Sequence, residues 1–179
     1  KNNLYTFLWL PFANNVISDH QYGFKSGKST ETTLLYIKNV LIRNIEVKHF
    51  IIGLFLDFSK AFDSVQHDIL LAKLEIYGIR GIARRLMKSY LTARQQYTKL
   101  HNDTRSNYGT IKYGVPQGSI LGPILFTVYR NDIVNIRSFS NIILYADDTN
   151  ILFSGPNLKE LEQRANSWLE ESEGWLRIN

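Results

Sequence analysis

The chain has 179 residues, 44% of them apolar and 13% aromatic, which excludes a disordered or low-complexity class and predicts one packed domain. It contains no cysteine, which excludes disulfides, zinc fingers and thiol nucleophiles and fits a reducing, intracellular location, nuclear or cytoplasmic. The formal charge of +5 favours a polyanionic partner. No apolar run approaches the roughly 20 residues of a membrane span, so we expect no membrane partner.

Residues 4–13 form the first apolar run, and we interpret them as a helix that packs against the rest of the domain. Pro11 within the run and Lys1 in the place of an initiator Met argue against a signal peptide. Because the sequence starts at Lys1 and stops at Asn179 without a turn signal, we expect it to be a piece of a longer protein.

A loop rich in Gly, Lys and Ser at residues 21–28 precedes the second predicted helix. Ser29 or Thr30 is expected to cap this helix. Apolar residues at helical spacing predict one buried stripe, which consists of Leu34, Leu35, Ile37, Val40, Leu41 and Ile45. Lys25 and Lys28 lie near the backbone amides of the helix start, where phosphate groups bind. A solvated loop is the alternative, and the spacing of the two glycines excludes a P-loop.

Residues 50–56 are apolar on both faces, which predicts a central strand that delivers Asp57 at its end. Reacting groups gather where strands end and loops meet, so Asp57 is a candidate functional residue. Residues 58–65 turn the chain, and Asp63 or Ser64 is expected to cap the helix that follows.

Two strands at residues 94–100 and 109–113 are predicted to form a hairpin around a polar loop. The hairpin leads into residues 114–123, where three glycines and two prolines fix the backbone ahead of an apolar helix. Gln117 is the only long polar side chain of residues 114–123. It either bonds a ligand or makes a structural hydrogen bond.

The sequence Tyr145-Ala146-Asp147-Asp148 lies between two apolar runs, residues 142–144 and 151–153. This pattern predicts a largely buried hairpin with both aspartates at its tip. Asp is a preferred turn residue, so the two carboxylates either form the turn or bind a cation. Apolar residues at spacings of three and four then predict a helix over residues 158–176 that covers the sheet.

This order of elements predicts an α+β fold with helices packed on one face of an antiparallel sheet and the other face open to a substrate. If Asp57 lies beside Asp147, carboxylates about 4 Å apart repel by about 4 kcal/mol at an effective dielectric of 20. Divalent cations would reverse that repulsion. Magnesium takes oxygen ligands, and two such ions stabilise both the attacking and the leaving oxygen of a phosphoryl transfer.

Three segments in series resemble the polymerase palm of a reverse transcriptase of non-LTR (LINE-type) retrotransposons. They are Leu-Asp-Phe-Ser-Lys-Ala-Phe-Asp at 56–63, Gly-Val-Pro-Gln-Gly-Ser-Ile-Leu-Gly-Pro at 114–123 and Tyr-Ala-Asp-Asp-Thr at 145–149. Residues 21–30 also resemble the segment that precedes this palm. The resemblance covers nearly the whole chain and implies one partial reverse transcriptase domain, with fingers-side elements at 1–49 and the palm at 50–179.

The resemblance implies synthesis of DNA on an RNA template, with a DNA primer and deoxynucleoside triphosphates as substrates. Asp57, Asp147 and Asp148 would be the catalytic residues. They would also be the ligands of two Mg²⁺ ions, with Mn²⁺ as an alternative metal.

The resemblance also implies two groups of substrate-binding residues. The incoming nucleotide would be bound by Phe58, Phe62, Gln117 and Gly118. The primer and template would be bound by Tyr145, Ala146, Lys25 and Lys28. Phe62 matches the steric gate, an aromatic ring under the sugar that leaves no room for a 2′-hydroxyl, although an ordinary core aromatic is the alternative.

The sequence departs from the family at its ends, because it lacks the upstream fingers segment and the thumb expected after Asn179. We therefore expect these residues alone to bind metal and nucleic acid weakly and to polymerise slowly or not at all. One competing interpretation is a retroelement-derived remnant that acts only as a nucleic-acid-binding or scaffold module. Another is a neighbouring polymerase, such as an intron maturase, a telomerase-like enzyme or an RNA-dependent RNA polymerase.

Overall fold

A computed structural model describes residues 16–101, 104–136 and 141–179. The helix predicted over residues 4–13 lies outside these ranges. The chain divides into two compact units. We call Lys60–Tyr129 the helical unit, and we call Ile17–Ser59 together with Arg130–Asn179 the sheet unit. Within the described ranges, no helix is both long enough and apolar enough to cross a membrane.

The described elements alternate between helices and short strands. In chain order they are α1 (Thr30–Glu46), β1 (Phe50–Leu56), α2 (His67–Ile76), α3 (Gly81–Leu91), β2 (Gln95–Gln96), β3 (Gly109–Thr110), α4 (Leu121–Arg130), a 3₁₀ helix (Asn131–Asn135), β4 (Asn141–Tyr145), β5 (Asp148–Gly155) and α5 (Leu158–Ile178). Strands β1, β5 and β4 form an antiparallel sheet in that order, and β2 pairs with β3 separately. This mixture of helices and antiparallel strands is the predicted α+β class.

Strand β5, and not β1, is the centre of the sheet, so the prediction of a central strand at residues 50–56 was wrong. Among the described residues, β1 pairs with β5 alone. Its residues are half-buried or exposed, and Phe55 is 71% exposed. An apolar sequence on both faces indicates a preference for burial, but it does not determine how many strands lie beside it.

One face of the sheet packs on α5 and forms the main core of the sheet unit. Its buried members are Ile133, Ile142, Leu144, Ile151, Phe153, Leu161, Ala165 and Trp168. Helix α5 starts as the sequence indicates, because the Asn157 side chain accepts a hydrogen bond from the backbone N–H of Lys159 at 3.0 Å. The helix thus supplies the predicted cover for the sheet.

The opposite face of the sheet is partly covered by α1. Tyr36, Ile37 and Val40 pack near the buried Ile143 and Leu152. The Ser29 cap of this helix is confirmed, because Ser29 and Thr32 form a reciprocal capping box.

The predicted buried stripe of α1 was wrong at three of its positions. Leu34, Leu35 and Ile45 are 66%, 55% and 66% exposed. The spacing of the apolar residues correctly predicts the helix, but α1 turns only part of that stripe toward the sheet.

Helices α2 and α3 of the helical unit pack together and bury Leu70, Leu74, Met87 and Leu91. Helix α2 begins at His67, so the predicted caps Asp63 and Ser64 were wrong. The chain forms a turn over residues 59–64 first, and the residue before the helix, Gln66, makes no capping hydrogen bond through its side chain. The buried Lys73 ammonium donates to the Tyr129 carbonyl oxygen at 2.6 Å, which ties α2 to α4.

The core packing of α5 makes a direct stability prediction. Trp168 is 2% exposed and lies in the core, whereas its neighbour Leu169 is 39% exposed. We expect Trp168→Ala to lower the free energy of unfolding by roughly 3–5 kcal/mol, because it leaves a cavity under the sheet. Leu169→Ala, the matched control on the same helix, should cost less than about 1 kcal/mol in the same urea titration. Equal losses of stability in the two variants would contradict this packing.

Candidate active site

Asp147 and Asp148, two of the three predicted catalytic aspartates, lie at a tight turn between β4 and β5. We call this connection, residues 145–148, the acidic turn. Tyr145 pairs with Asp148, so Ala146 and Asp147 make the connection. This confirms the predicted hairpin with both aspartates at its tip. Ala146 has a φ of +50°, in the left-handed region that costs a residue with a side chain roughly 1–2 kcal/mol. Asp147 is half-buried and Asp148 is exposed.

Asp57 lies at the same end of the sheet as this turn. The register of β1 and β5 places Leu56 opposite Thr149. Asp57 directly follows Leu56 and Asp148 directly precedes Thr149, so both aspartates lie one residue beyond this pair, toward the turn. Opposed Cα atoms of an antiparallel pair are about 4.5–5.5 Å apart. The antiparallel pairing therefore places Asp57 at the same end of the sheet as Asp147 and Asp148, although they lie far apart along the chain.

Arg130 is a buried cation beneath this end of the sheet, with only 3% of its surface exposed. Its Nη1 donates to the Ala146 carbonyl oxygen at 2.6 Å, and its Nη2 donates to the hydroxyl oxygen of the fully buried Thr149. The guanidinium carbon lies 4.7 Å from the centre of the Phe58 ring. Arg130 thus contacts both chain segments that carry the aspartates.

The electrostatics around Arg130 balance burial against nearby carboxylates. Burial lowers the pKa of the guanidinium to about 10, and Asp147 and Asp148 act in the opposite direction. The pKa of Arg130 is lower in the folded than in the unfolded protein. Burial of the charged guanidinium therefore destabilises the fold at every pH below about 10, and this destabilisation decreases only above that pH. At neutral pH the group stays a cation held by its hydrogen bonds.

Sequence reasoning missed Arg130. The available signal was an arginine at the end of the apolar segment 124–129, a position where a buried charge requires partners. Residue type alone does not identify those partners, since a lysine or arginine at a helix C-terminus is also a common surface feature.

The segment before α1 supports the acidic turn from another side. The Tyr22 N–H donates to the Leu144 carbonyl oxygen at 2.7 Å, and the Leu144 N–H donates to the His20 carbonyl oxygen at 2.9 Å, so this segment pairs with β4. A Cβ atom on Gly23 would lie 2.2 Å from the Ala146 nitrogen, so only glycine permits this approach.

The two lysines predicted to hold phosphates already have partners within the sheet unit. Lys25 forms an ion pair with Asp19 at 2.8 Å, and the Lys28 ammonium lies 4.1 Å from the centre of the Tyr22 ring. Asp19 is almost fully exposed. The role of both lysines stays a prediction.

Within the helical unit, hydrogen bonds join the end of the first motif to the start of the second. The Val115 N–H donates to the Phe62 carbonyl oxygen at 2.8 Å, and the Gly114 N–H donates to that of Val65 at 2.7 Å. Phe62 stacks on the buried Phe126, with ring centres 4.3 Å apart. Phe62 is half-buried and therefore still exposes part of its ring.

Gln117 borders a cavity of about 570 Å³, within the size range of small-molecule sites. Its amide nitrogen donates to the Asp63 carboxylate at 2.9 Å, so the structural hydrogen bond that the sequence left open does form. That bond leaves the amide oxygen of Gln117 as an acceptor toward solvent. Gly118 is exposed with a φ of +76°, a backbone conformation that favours glycine.

The donor set at the end of the sheet suits a hard divalent cation, because it consists of carboxylate oxygens. Over residues 16–101, 104–136 and 141–179, no three carboxylate or histidine side chains are grouped closely enough to hold a metal ion. Magnesium usually binds through one or two carboxylates and takes waters and substrate phosphates as further ligands. The chemistry of Asp57, Asp147 and Asp148 suits such an ion, and their assignment as its ligands stays a prediction.

The contacts of Arg130 predict its contribution to stability. We expect Arg130→Met to lower the free energy of unfolding by roughly 1–3 kcal/mol, because Ala146 and the buried Thr149 would no longer have their donor. The matched control is Arg43→Met on the exposed part of α1, which should stay within about 0.5 kcal/mol of the wild type. Urea unfolding measures both variants, and an Arg130→Met protein as stable as the control would contradict the described hydrogen bonds.

Comparison with known proteins gives consistent sequence matches. Residues 1–177 match the family model described as reverse transcriptase (RNA-dependent DNA polymerase). The chain is 28% identical over 175 residues to the probable RNA-directed DNA polymerase from transposon BS of Drosophila melanogaster, covering 90% of this chain and 18% of that protein. It is 30% identical over 183 residues to the RNA-directed DNA polymerase from mobile element jockey of the same species, covering 91% and 19%. The chain thus spans less than a fifth of the length of these relatives.

Two solved structures with a similar fold are telomerases. The telomerase of Candida albicans in complex with a fragment of telomeric RNA has a TM-score of 0.64 and 14% identity, covering 93% of this chain and 32% of that one. The apo telomerase of Candida tropicalis has a TM-score of 0.62 and 12% identity, covering 91% and 33%. At these identities the likeness concerns the fold, and it confirms the palm-like architecture. The family match and the relatives together show that this chain belongs to the reverse transcriptase family, of the kind found in non-LTR retrotransposons.

Proposed function

We propose that this chain forms the catalytic centre of an RNA-directed DNA polymerase, in which Asp57, Asp147 and Asp148 hold two divalent metal ions, Mg²⁺ or Mn²⁺. The observation that carries the proposal is the antiparallel register, which sets Leu56 opposite Thr149 and so brings Asp57 to the end of the sheet occupied by the acidic turn. Carboxylates at one end of a sheet repel one another, and divalent cations would offset that repulsion.

The chemistry follows from what these side chains supply. When bound, the ions would stabilise charge on the attacking and leaving oxygens of a phosphoryl transfer. The aspartates would orient the ions through carboxylate oxygens, and the exposed side chains of Asp57 and Asp148 are open to a nucleotide. Arg130 would hold the turn in place by its hydrogen bonds to Ala146 and Thr149.

Nucleotide binding is proposed for Phe58, Phe62, Gln117 and Gly118. The stack of Phe62 on Phe126 supports a gating role, because a ring fixed on one side resists displacement by a 2′-hydroxyl. The free acceptor of Gln117 borders a cavity large enough for part of a nucleotide.

Primer and template binding is proposed for Tyr145, Ala146, Lys25 and Lys28. An exposed ion pair such as Lys25 with Asp19 contributes at most about 1 kcal/mol, so a nucleic-acid phosphate can replace the carboxylate at little cost. The formal charge of +5 supports a polyanionic partner such as an RNA template with a DNA primer.

We also propose that residues 1–179 alone extend a primer slowly, below about 1 per second, the lower end of typical enzyme turnover. The basis is that the chain spans only 18% of the length of the BS relative. Assays should therefore compare these residues alone with a longer protein that contains them.

The metal proposal predicts the effect of Asp147→Asn. The variant should reduce RNA-templated primer extension with Mg²⁺ by at least about 100-fold, which corresponds to about 2.7 kcal/mol of barrier, because an amide is a poor ligand for the ion. Asp68→Asn, an exposed aspartate at the start of α2, is the matched control and should extend as the wild type does. Extension by Asp147→Asn at the control rate would refute the mechanism. Binding of RNA without any extension by the longer protein would favour a remnant that only binds nucleic acid.

The gate proposal predicts a change in sugar selectivity. Phe62→Val should raise the incorporation of ribonucleotides relative to deoxynucleotides by at least about tenfold, since it removes the ring that would clash with the 2′-hydroxyl. The measurement is the ratio of kcat/KM for the two nucleotides. Phe126→Leu serves as the comparison, because it removes the stacking partner and keeps the Phe62 ring. An unchanged ratio for Phe62→Val would leave Phe62 as a core aromatic.

A further inference from the structure

A second surface with nucleic-acid chemistry lies in the helical unit, away from the three aspartates in sequence. We call residues 94–101 and 104–113 the basic hairpin. Its strands β2 and β3 are shorter than predicted, but hydrogen bonds continue the pairing, with the Ser106 N–H donating to the Thr98 carbonyl oxygen at 2.9 Å and the Leu100 N–H to that of Thr104 at 2.8 Å. The hairpin is therefore an ordered support for its side chains.

The basic hairpin exposes aromatic rings. All its residues from 95 to 101 and from 104 to 110 are exposed, which is unusual for a segment that carries tyrosines. Tyr97 and Tyr108 are 39% and 65% exposed, and their rings meet edge to face with centres 5.1 Å apart. The Arg105 guanidinium lies 5.2 Å from the centre of the Tyr97 ring. Two aromatic rings and a cation thus share one surface.

Every charged residue in the described part of the basic hairpin is basic. Its charged residues there are Arg94, Lys99, Arg105 and Lys112, with no Asp or Glu among them. Asp103 belongs to the sequence between the described ranges. Cations next to exposed aromatic rings are the combination that binds single-stranded nucleic acids, because every base has a π-face and every nucleotide has a phosphate.

We propose that the basic hairpin binds a single-stranded nucleic-acid segment, with bases stacked on Tyr97 and Tyr108 and phosphates beside Arg105 and Lys112. The identity of the strand as template RNA rests on the proposed polymerase function, but the binding itself rests on the hairpin residues alone. A cross-strand tyrosine pair that only stabilises the hairpin is the competing explanation. If the pair only stabilises the hairpin, removing an exposed tyrosine ring should leave the affinity for nucleic acid unchanged.

The test measures binding of a fluorescent single-stranded RNA of mixed sequence to residues 1–179 by anisotropy, without nucleotides or metal, at several salt concentrations. Tyr108→Ser should weaken binding roughly 5- to 150-fold, the range for loss of one stacked base, while Tyr108→Phe keeps the ring and should bind as the wild type does. Arg105→Gln combined with Lys112→Gln should lower the slope of log affinity against log salt by about 0.7 for each phosphate that no longer has a cation beside it. Lys159→Gln on α5, an exposed lysine of the other unit, is the charge control and should leave both quantities unchanged.

Three outcomes would overturn the inference. These are no RNA binding by the wild type, wild-type affinity in both the Tyr108→Ser and the double glutamine variants, or an equal weakening in Tyr108→Phe and Tyr108→Ser. Circular dichroism on each variant distinguishes unfolding from a weaker interaction with RNA. Primer extension by Asp147→Asn tests the catalytic proposal in a separate assay, so failure of the hairpin inference and failure of the catalytic proposal give different results.

Discussion

The arrangement of the acidic residues depends on the buried guanidinium of Arg130. Adjacent carboxylates at a tight turn repel each other, and Ala146 holds a left-handed conformation that costs further energy. Arg130 offsets both costs by donating to the backbone of Ala146 and to the side chain of Thr149 on either side of the two aspartates. Its contact with the Phe58 ring extends the same support to the segment after Asp57.

The rest of the sheet unit keeps this turn in register. The main core under β4 and β5 fixes the strands, and the pairing of β1 with β5 determines which residue lies opposite Thr149. A shift of one residue in that pairing would move Asp57 to the other face of the sheet, so the packing of alternate apolar residues also determines the position of the carboxylate. The close approach of Gly23 to Ala146 limits the turn from a third direction. Packing and chemistry are therefore coupled in this unit.

The sequence predicted those features that local patterns determine. Apolar periodicity identified the acidic hairpin and α5, the residue type at the start of α1 identified the Ser29 cap, and the three palm motifs identified the family. It failed where tertiary neighbours decide the outcome. The position of β1 at the sheet edge, the exposure of Leu34 on α1 and the partners of Arg130 all depend on elements distant in the chain, which no local pattern encodes.

The proposed function requires that Asp57 and the acidic turn share one cation site at the end of the sheet. Titration of ¹⁵N-labelled protein with Mn²⁺ tests it directly, because the paramagnetic ion broadens the amide signals of nearby residues. We expect the signals of Asp57 and Phe58 to disappear at the same Mn²⁺ concentration as those of Asp147 and Asp148, while that of Phe50, at the opposite end of β1, persists. Broadening of one segment without the other, or of neither, would contradict it.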